Sequence, residues 1–186
     1  MIRRINVFGG PGSGKSVLTM WLFAELKIAG LNIQFVDEYV KKWAYEGKPI
    51  SSFDQIYLFA KQMYKEESYL RAGADLIISD SPILMIGAYA TRNNDPFKDE
   101  LISLATKFNE IYPSINIFLD REGIPYQRSG RYEDYEAAVA TDKVILSVLS
   151  DNLKSFEVFK TKERQQILEH ILGRITSSQD RHHAKP

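Results

Sequence analysis

Gly9, Gly10, Pro11, Gly12, Ser13, Gly14, Lys15 and Ser16 fit the pattern G-x-x-x-x-G-K-[ST]. Glycines at these places let successive backbone N–H groups turn inward around an anion with no Cβ in the way. A helix opening near Lys15 points the positive end of its dipole at the same anion. The Lys15 ammonium reaches the β- and γ-phosphates of a bound nucleotide. The Ser16 hydroxyl suits Mg²⁺, a hard cation that prefers oxygen. The segment therefore predicts a nucleotide site built by residues 10–16, with Mg²⁺ on Ser16.

Phosphoryl transfer to a hydroxyl also needs a group to take the proton and an anchor for the metal. Acidic residues follow three short apolar runs: Asp37 and Glu38 after the second, Asp80 after the third, Asp120 after the fourth. Asp37 directly follows its run and is the first candidate for the base, with Glu38 in reserve or placed against the acceptor. Asp80 is a candidate for Mg²⁺, through water, or for the acceptor. Asp120 reads as an ordinary loop cap. Arg121, Arg128 and Arg131 cluster around Ser129 and Gly130. Guanidinium groups can follow the charge that spreads over a phosphoryl group in flight, and an arginine-bearing segment can close as a lid. Arg128 and Arg131 lead here. Gln55 and Gln62, among the aromatics Trp43, Tyr45, Tyr57, Phe59 and Tyr64, are candidates for holding a base-like acceptor.

The elements that must position these groups are legible from periodicity. Residues 2–8, 33–36, 76–78, 115–119 and, more weakly, 156–159 read as short buried strands. Helical spacing fills much of the remainder. It runs over 18–29 with a stop at Gly30, over 56–70 behind a capping box at Ser52 and Gln55, and over 101–111, 137–153 and 163–175. Residues 91–100 read as an exposed loop, 121–135 as irregular, and 176–186 as a polar, frayed tail. Strands alternating with helices predict an α/β fold, a parallel sheet of about five strands covered on both faces. One domain over residues 1–175 is expected, followed by the tail.

Composition narrows the classes. The chain has 186 residues, 44% hydrophobic and 26% charged, which suits a globular domain and excludes wholesale disorder. It has no cysteine, so disulfides, thiolate metal sites and a cysteine nucleophile are excluded. That composition suits a reducing cytosol. No apolar run reaches membrane-spanning length, and the first residues lack a signal-peptide pattern, so a cytoplasmic protein without a membrane partner is expected. The 24 basic residues balance 24 acidic ones, leaving no overall electrostatic footprint for nucleic acid.

With these residues in place, the chain resembles the P-loop nucleoside, nucleotide and polynucleotide kinases over about residues 1–175. The kinase domain of polynucleotide kinases has a similar phosphate loop, an Asp base after strand two, a Ser-Asp pair after strand three and a lid arginine. Carried over, these imply Lys15, Ser16, Asp37, Asp80 and Arg128 or Arg131. The stretch with Gln55 and Gln62 resembles the nicotinamide-riboside-kinase-like group, sometimes placed with AAA-type ATPases. Phage 5-hydroxymethyluracil DNA kinases are similar in size and layout, which would place the protein in a host cytoplasm. The sequence departs from these families in places. Lys41 and Lys42 stand where polynucleotide kinases carry an Arg, and Asp37-Glu38-Tyr39 replaces the Glu-Pro of deoxynucleoside kinases.

The resemblance implies ATP as donor, with a lid over it, and as acceptor either a modified base in DNA or a small nucleoside or nucleotide. A regulatory NTPase or ATP-binding module is the competing class. Asp120, Arg121, Glu122 and Gly123 fit a D-x-x-G pattern, but no N-K-x-D guanine-reading motif follows.

Overall fold

The computed structural model describes residues 1–127 and 131–183. Among these residues five parallel strands form one sheet in the order β2-β3-β1-β4-β5. They are β1 (Arg4–Phe8), β2 (Ile33–Val36), β3 (Leu76–Ser79), β4 (Ser114–Asp120) and β5 (Glu157–Lys160). Among the described residues seven helices connect or flank them: α1 (Lys15–Ile28), α2 (Lys41–Tyr45), α3 (Ser52–Arg71), α4 (Ile83–Arg92), α5 (Lys98–Ile111), α6 (Tyr135–Asn152) and α7 (Arg164–His183). The α/β expectation holds, with helices on both faces.

Strand alternation divides the core in two. Ile5 and Val7 of β1 and Ile115, Ile117 and Leu119 of β4 face α1 and α7. Phe8 and Phe118 face the other way, against α4, α5 and α6. The central strand is buried along its whole length, so its polar residues need partners. Asn6 donates to the side-chain oxygen of Asn116 at 2.9 Å. Arg4, fully buried, pairs with the equally buried Glu66 at 2.8 Å and also donates to Asn109 at 2.5 Å. Burial pushes the Glu66 carboxyl above the usual range against the pull of Arg4. Glu66 in turn accepts from Ser79 and from the backbone N–H of Ile83, tying α3 to the turn that carries Asp80. Removing one partner of such a pair strands a buried charge. Arg4→Met is therefore expected to lower stability by about 3–5 kcal/mol, read by denaturant titration. A loss under about 1 kcal/mol would mean that water reaches the pair.

Several boundaries differ from the expected ones. The cap of α3 is Ser51, not Ser52: its N–H and hydroxyl both donate to Asp54, at 2.9 and 2.8 Å. Gln55 is thereby freed to turn inward. Helix α4 and the short α2 were not expected. Ile83, Leu84, Met85, Gly87, Ala88 and Ala90 of α4 are all buried, a short, mostly apolar run of the kind that sequence pattern does not assign to helix or strand. It also packs closely on α5: a Cβ on Gly87 would stand 2.8 Å from Ile102. The loop expected over 91–100 shrinks to the residues between α4 and α5. The C-terminal tail is likewise corrected. Helix α7 continues through residues 176–183, and its Ser178 accepts a hydrogen bond from the backbone of Ile2 at 3.1 Å. Among the described residues no helix is long and apolar enough to cross a membrane.

Candidate active site

The phosphate loop leaves the carboxyl end of β1, the central strand. The ends of all four other strands arrive beside it, where open parallel sheets place their ligands. The loop is held from three directions. Thr161, buried after β5, donates to the carbonyl of Ser13 at 2.7 Å. Asp142 of α6 accepts the N–H of Gly10 at 2.6 Å and pairs with Arg121. Arg121 donates to the carbonyl of Pro11 at 3.0 Å and to that of Ala138 at 3.1 Å. Arg131 and Tyr126 cover the third side: each has an atom 2.7 Å from where a Cβ on Gly12 would stand, so only glycine fits there. Lys15 lies within the loop, donating to the carbonyls of Gly9 and Gly10 at 2.6 and 3.0 Å. The helix opening at Lys15 leaves its first N–H groups aimed at the loop's interior.

Asp142 was missed by sequence reading, because nothing local marks a mid-helix aspartate as a partner of a loop 132 residues away. Arg121, expected as a lesser lid residue, instead fastens the loop to α6. Asp142→Ala frees the loop on that side. It is expected to raise the KM for ATP about tenfold, the scale of a charge-assisted hydrogen bond, with a smaller change in kcat. A lowered melting temperature with an unchanged KM would assign the pair to stability alone.

The Ser16 hydroxyl donates to Asp80 at 2.6 Å. The other carboxylate oxygen of Asp80 is buried and makes no hydrogen bond. A hydroxyl beside an orphaned carboxylate oxygen at the phosphate loop suits Mg²⁺, which takes one or two protein ligands and fills its shell with phosphate and water. Lys41 stands over the same hydroxyl at 3.4 Å.

A cavity of about 560 Å³ opens from the loop toward α3 and α4. Its charged lining is Lys15, Glu38, Lys41, Arg92, Arg131 and Glu133. Gln55 and Gln62, both buried, line it as well, and Gln62 also accepts the N–H of Tyr39 at 3.2 Å. A larger and more open groove of about 1060 Å³ between α5 and α6 contains no phosphate-loop residue.

The two acidic residues after β2 part company. The Asp37 side chain is 59% exposed, pairs with Lys65, and does not line the cavity. Glu38 does line it. Burial pushes the Glu38 carboxyl above the ordinary glutamate range, opposed by Lys15 and reinforced by Asp80. The expectation put Asp37 first as the base; of the two carboxylates it is Glu38 that lines the cavity. Successive residues at the end of a strand point to opposite sides, and it is the second that points inward. Arg128 lies outside the described residues. Asp120 accepts the N–H of Glu122 at 3.0 Å, a loop cap as expected.

The comparisons with known proteins agree with this geometry. A family model described as an AAA domain matches residues 4–165. The chain belongs to that family. Among curated proteins no relative matches it. The fold is shared with the NadR protein in complex with NAD and AMP-PNP, at TM-score 0.67 and 14% identity. That match covers 91% of this chain and 48% of NadR, so the chain spans about half the length of that protein. It is shared also with a deoxyadenosine kinase from M. mycoides, at TM-score 0.56 and 16% identity, covering 94% of this chain and 99% of the kinase. The fold is thus one shared with both proteins.

Proposed function

We propose that this AAA-domain protein is an ATP-dependent phosphotransferase that moves the γ-phosphate to a hydroxyl of a nucleic-acid component. The observation that carries this reading is the placement of Glu38, Lys15 and Ser16 on the walls of one cavity, with Asp80 hydrogen-bonded to Ser16. Lys15 and the N-terminal N–H groups of α1 bind and orient the donor phosphates. Ser16 and Asp80 would hold Mg²⁺, which would offset the charge of the donor phosphates. Glu38 takes the proton of the acceptor hydroxyl, a role for which a raised carboxyl is suited near neutral pH. Arg131, with its guanidinium carbon 5.4 Å from the Tyr126 ring centre, lines the cavity and stabilises the phosphoryl group in flight, a role that the sequence resemblance gives to Arg128 as well. Gln55 and Gln62 supply amide groups for the acceptor.

Two acceptors compete. The sequence resemblance favours 5-hydroxymethyluracil in DNA. The full-length correspondence with a deoxyadenosine kinase favours a free nucleoside. The regulatory-NTPase reading loses its one motif, since Asp120 serves as a turn cap and does not line the cavity.

The test is transfer of label from γ-labelled ATP, with Mg²⁺, to nucleosides, nucleotides, DNA with free 5′-hydroxyls and DNA containing 5-hydroxymethyluracil. Label is expected in one acceptor class. Label released only as free phosphate would overturn the kinase reading.

A further inference from the structure

Helix α3 gives the cavity three residues, Gln55, Leu58 and Gln62, spaced i, i+3, i+7 on one face and none of them charged. One turn beyond Gln62, Glu66 accepts from Ser79 at the end of β3 and from the N–H of Ile83, and it pairs with the buried Arg4. Of the three, Gln62 therefore lies nearest the end of the sheet, on a part of the helix that is fixed there. Its side-chain oxygen accepts the N–H of Tyr39, the residue after Glu38, at 3.2 Å. From α4 the cavity takes Ile86, Tyr89 and Arg92, and Arg92 pairs with Glu133 at 2.7 Å.

The amide of Gln62 has one sense only. A backbone N–H can only donate, so the oxygen must face Tyr39 and the nitrogen is left for other partners. Gln62 is 2% exposed, and among the described residues its buried nitrogen has no hydrogen-bond partner. Two N–H donors held on the wall of a cavity and left unspent call for an acceptor from a ligand, since a buried donor without one is costly.

We infer that Gln62 is a specificity-determining residue that reads a keto oxygen on the heterocycle of the acceptor, so that the protein takes keto bases and rejects the corresponding amino bases. This deepens the kinase reading and rests on it. A keto oxygen offers two lone pairs to the two N–H groups. In cytosine and adenine the accepting ring nitrogen stands beside an amino group. That amino group would meet an amide whose oxygen is already engaged by Tyr39, donor against donor. The bidentate pairing of a glutamine with adenine needs both halves of the amide, and here the donor half is the free one. Leu58 on the same face, with Ile86 and Tyr89, gives the ring uncharged and largely apolar surroundings. A site built to hydrogen-bond one group discriminates strongly, because the wrong substrate leaves its buried polar groups unpaired.

Paired ligands that differ at this group measure it without requiring turnover. With the donor site filled by a non-hydrolysable ATP analogue and Mg²⁺, equilibrium dialysis compares thymidine with 5-methyldeoxycytidine, 5-hydroxymethyldeoxyuridine with 5-hydroxymethyldeoxycytidine, and deoxyinosine with deoxyadenosine. The keto member of at least one pair is expected to bind about tenfold or more tighter than its amino partner. Gln62→Met keeps the length of the side chain and removes the donor. It is expected to bring that ratio to within about twofold of one by weakening the keto member alone. A side chain that only shaped the wall would weaken both members alike and leave the ratio unchanged. A wild-type chain with no keto preference overturns the inference, as does a ratio that survives in Gln62→Met or failure of every keto nucleoside to bind. If Gln62→Met does not fold, the wild-type ratio decides alone. Label transfer in the same samples separates this inference from the reading beneath it. Transfer to keto and amino acceptors alike sinks the inference and keeps the kinase. The expected binding ratio with no transfer to any acceptor does the reverse.

Discussion

Glu38→Gln is expected to lower kcat for phosphoryl transfer by roughly 10²–10⁴-fold, the range a positioned general base contributes. The amide keeps the shape of the side chain and cannot take a proton. Asp37→Asn is expected to stay within about twofold of wild type, because that carboxylate faces solvent and Lys65 at the surface, where an ion pair is worth little. The pair of variants separates two neighbours that sequence alone left as alternatives. Stability supplies a second readout with a defined sign. The folded Glu38 binds its proton more tightly than the unfolded chain does, because burial raises it. A raised carboxyl favours folding below its unfolded value and loses that contribution as pH rises through the folded value. At neutral pH the ionised Glu38 is therefore a strain on the fold. The Gln variant is expected to melt at or above the wild-type temperature while losing activity. For the same reason the acid limb of the kcat profile is expected above the pH of an ordinary glutamate. If Asp37→Asn loses as much activity as Glu38→Gln, the assignment is wrong.

Lys15→Ala is expected to reduce transfer by about 10³-fold or more, since it removes a cation aimed at the charge that develops on the transferring phosphate. In the structure the ammonium caps the carbonyls of Gly9 and Gly10, so its loss also unpins the loop. Nucleotide binding is expected to weaken as well, by less than the rate falls, because the backbone N–H groups and the dipole of α1 remain. Melting temperature and ATP affinity measured beside the rate separate these effects. A rate loss that ATP saturation fully restores would show that Lys15 serves binding alone.

The phosphate loop, the strand–helix alternation and the α/β class were legible from the chain, because each is set within a few residues. Glycines permit the turn, Lys15 and Ser16 supply the ligands, and apolar runs of four to seven residues can only be satisfied inside a covered sheet. The candidate amides Gln55 and Gln62 were legible as types, since their position beside the aromatics already suggested an acceptor wall.

Other features depend on which residues meet across the sheet. Local pattern did not reveal α4, whose short, mostly apolar run reads as readily as a buried strand as a buried helix. Nor did it reveal the continuation of α7, whose polar residues hold to residue 2 through Ser178. It ranked Asp37 over Glu38 by proximity to the strand, whereas the fold turns Glu38 and not Asp37 into the cavity. The Arg121–Asp142 pair, the Arg4–Glu66 pair and the Arg92–Glu133 pair join residues 21, 62 and 41 positions apart. The sequence by itself thus determined the phosphate-loop pattern and the residues that form it. Only the tertiary structure decided which carboxylate lines the cavity and which charges pair across the fold, because a charge acts through distance and burial, and neither is encoded within one turn of chain.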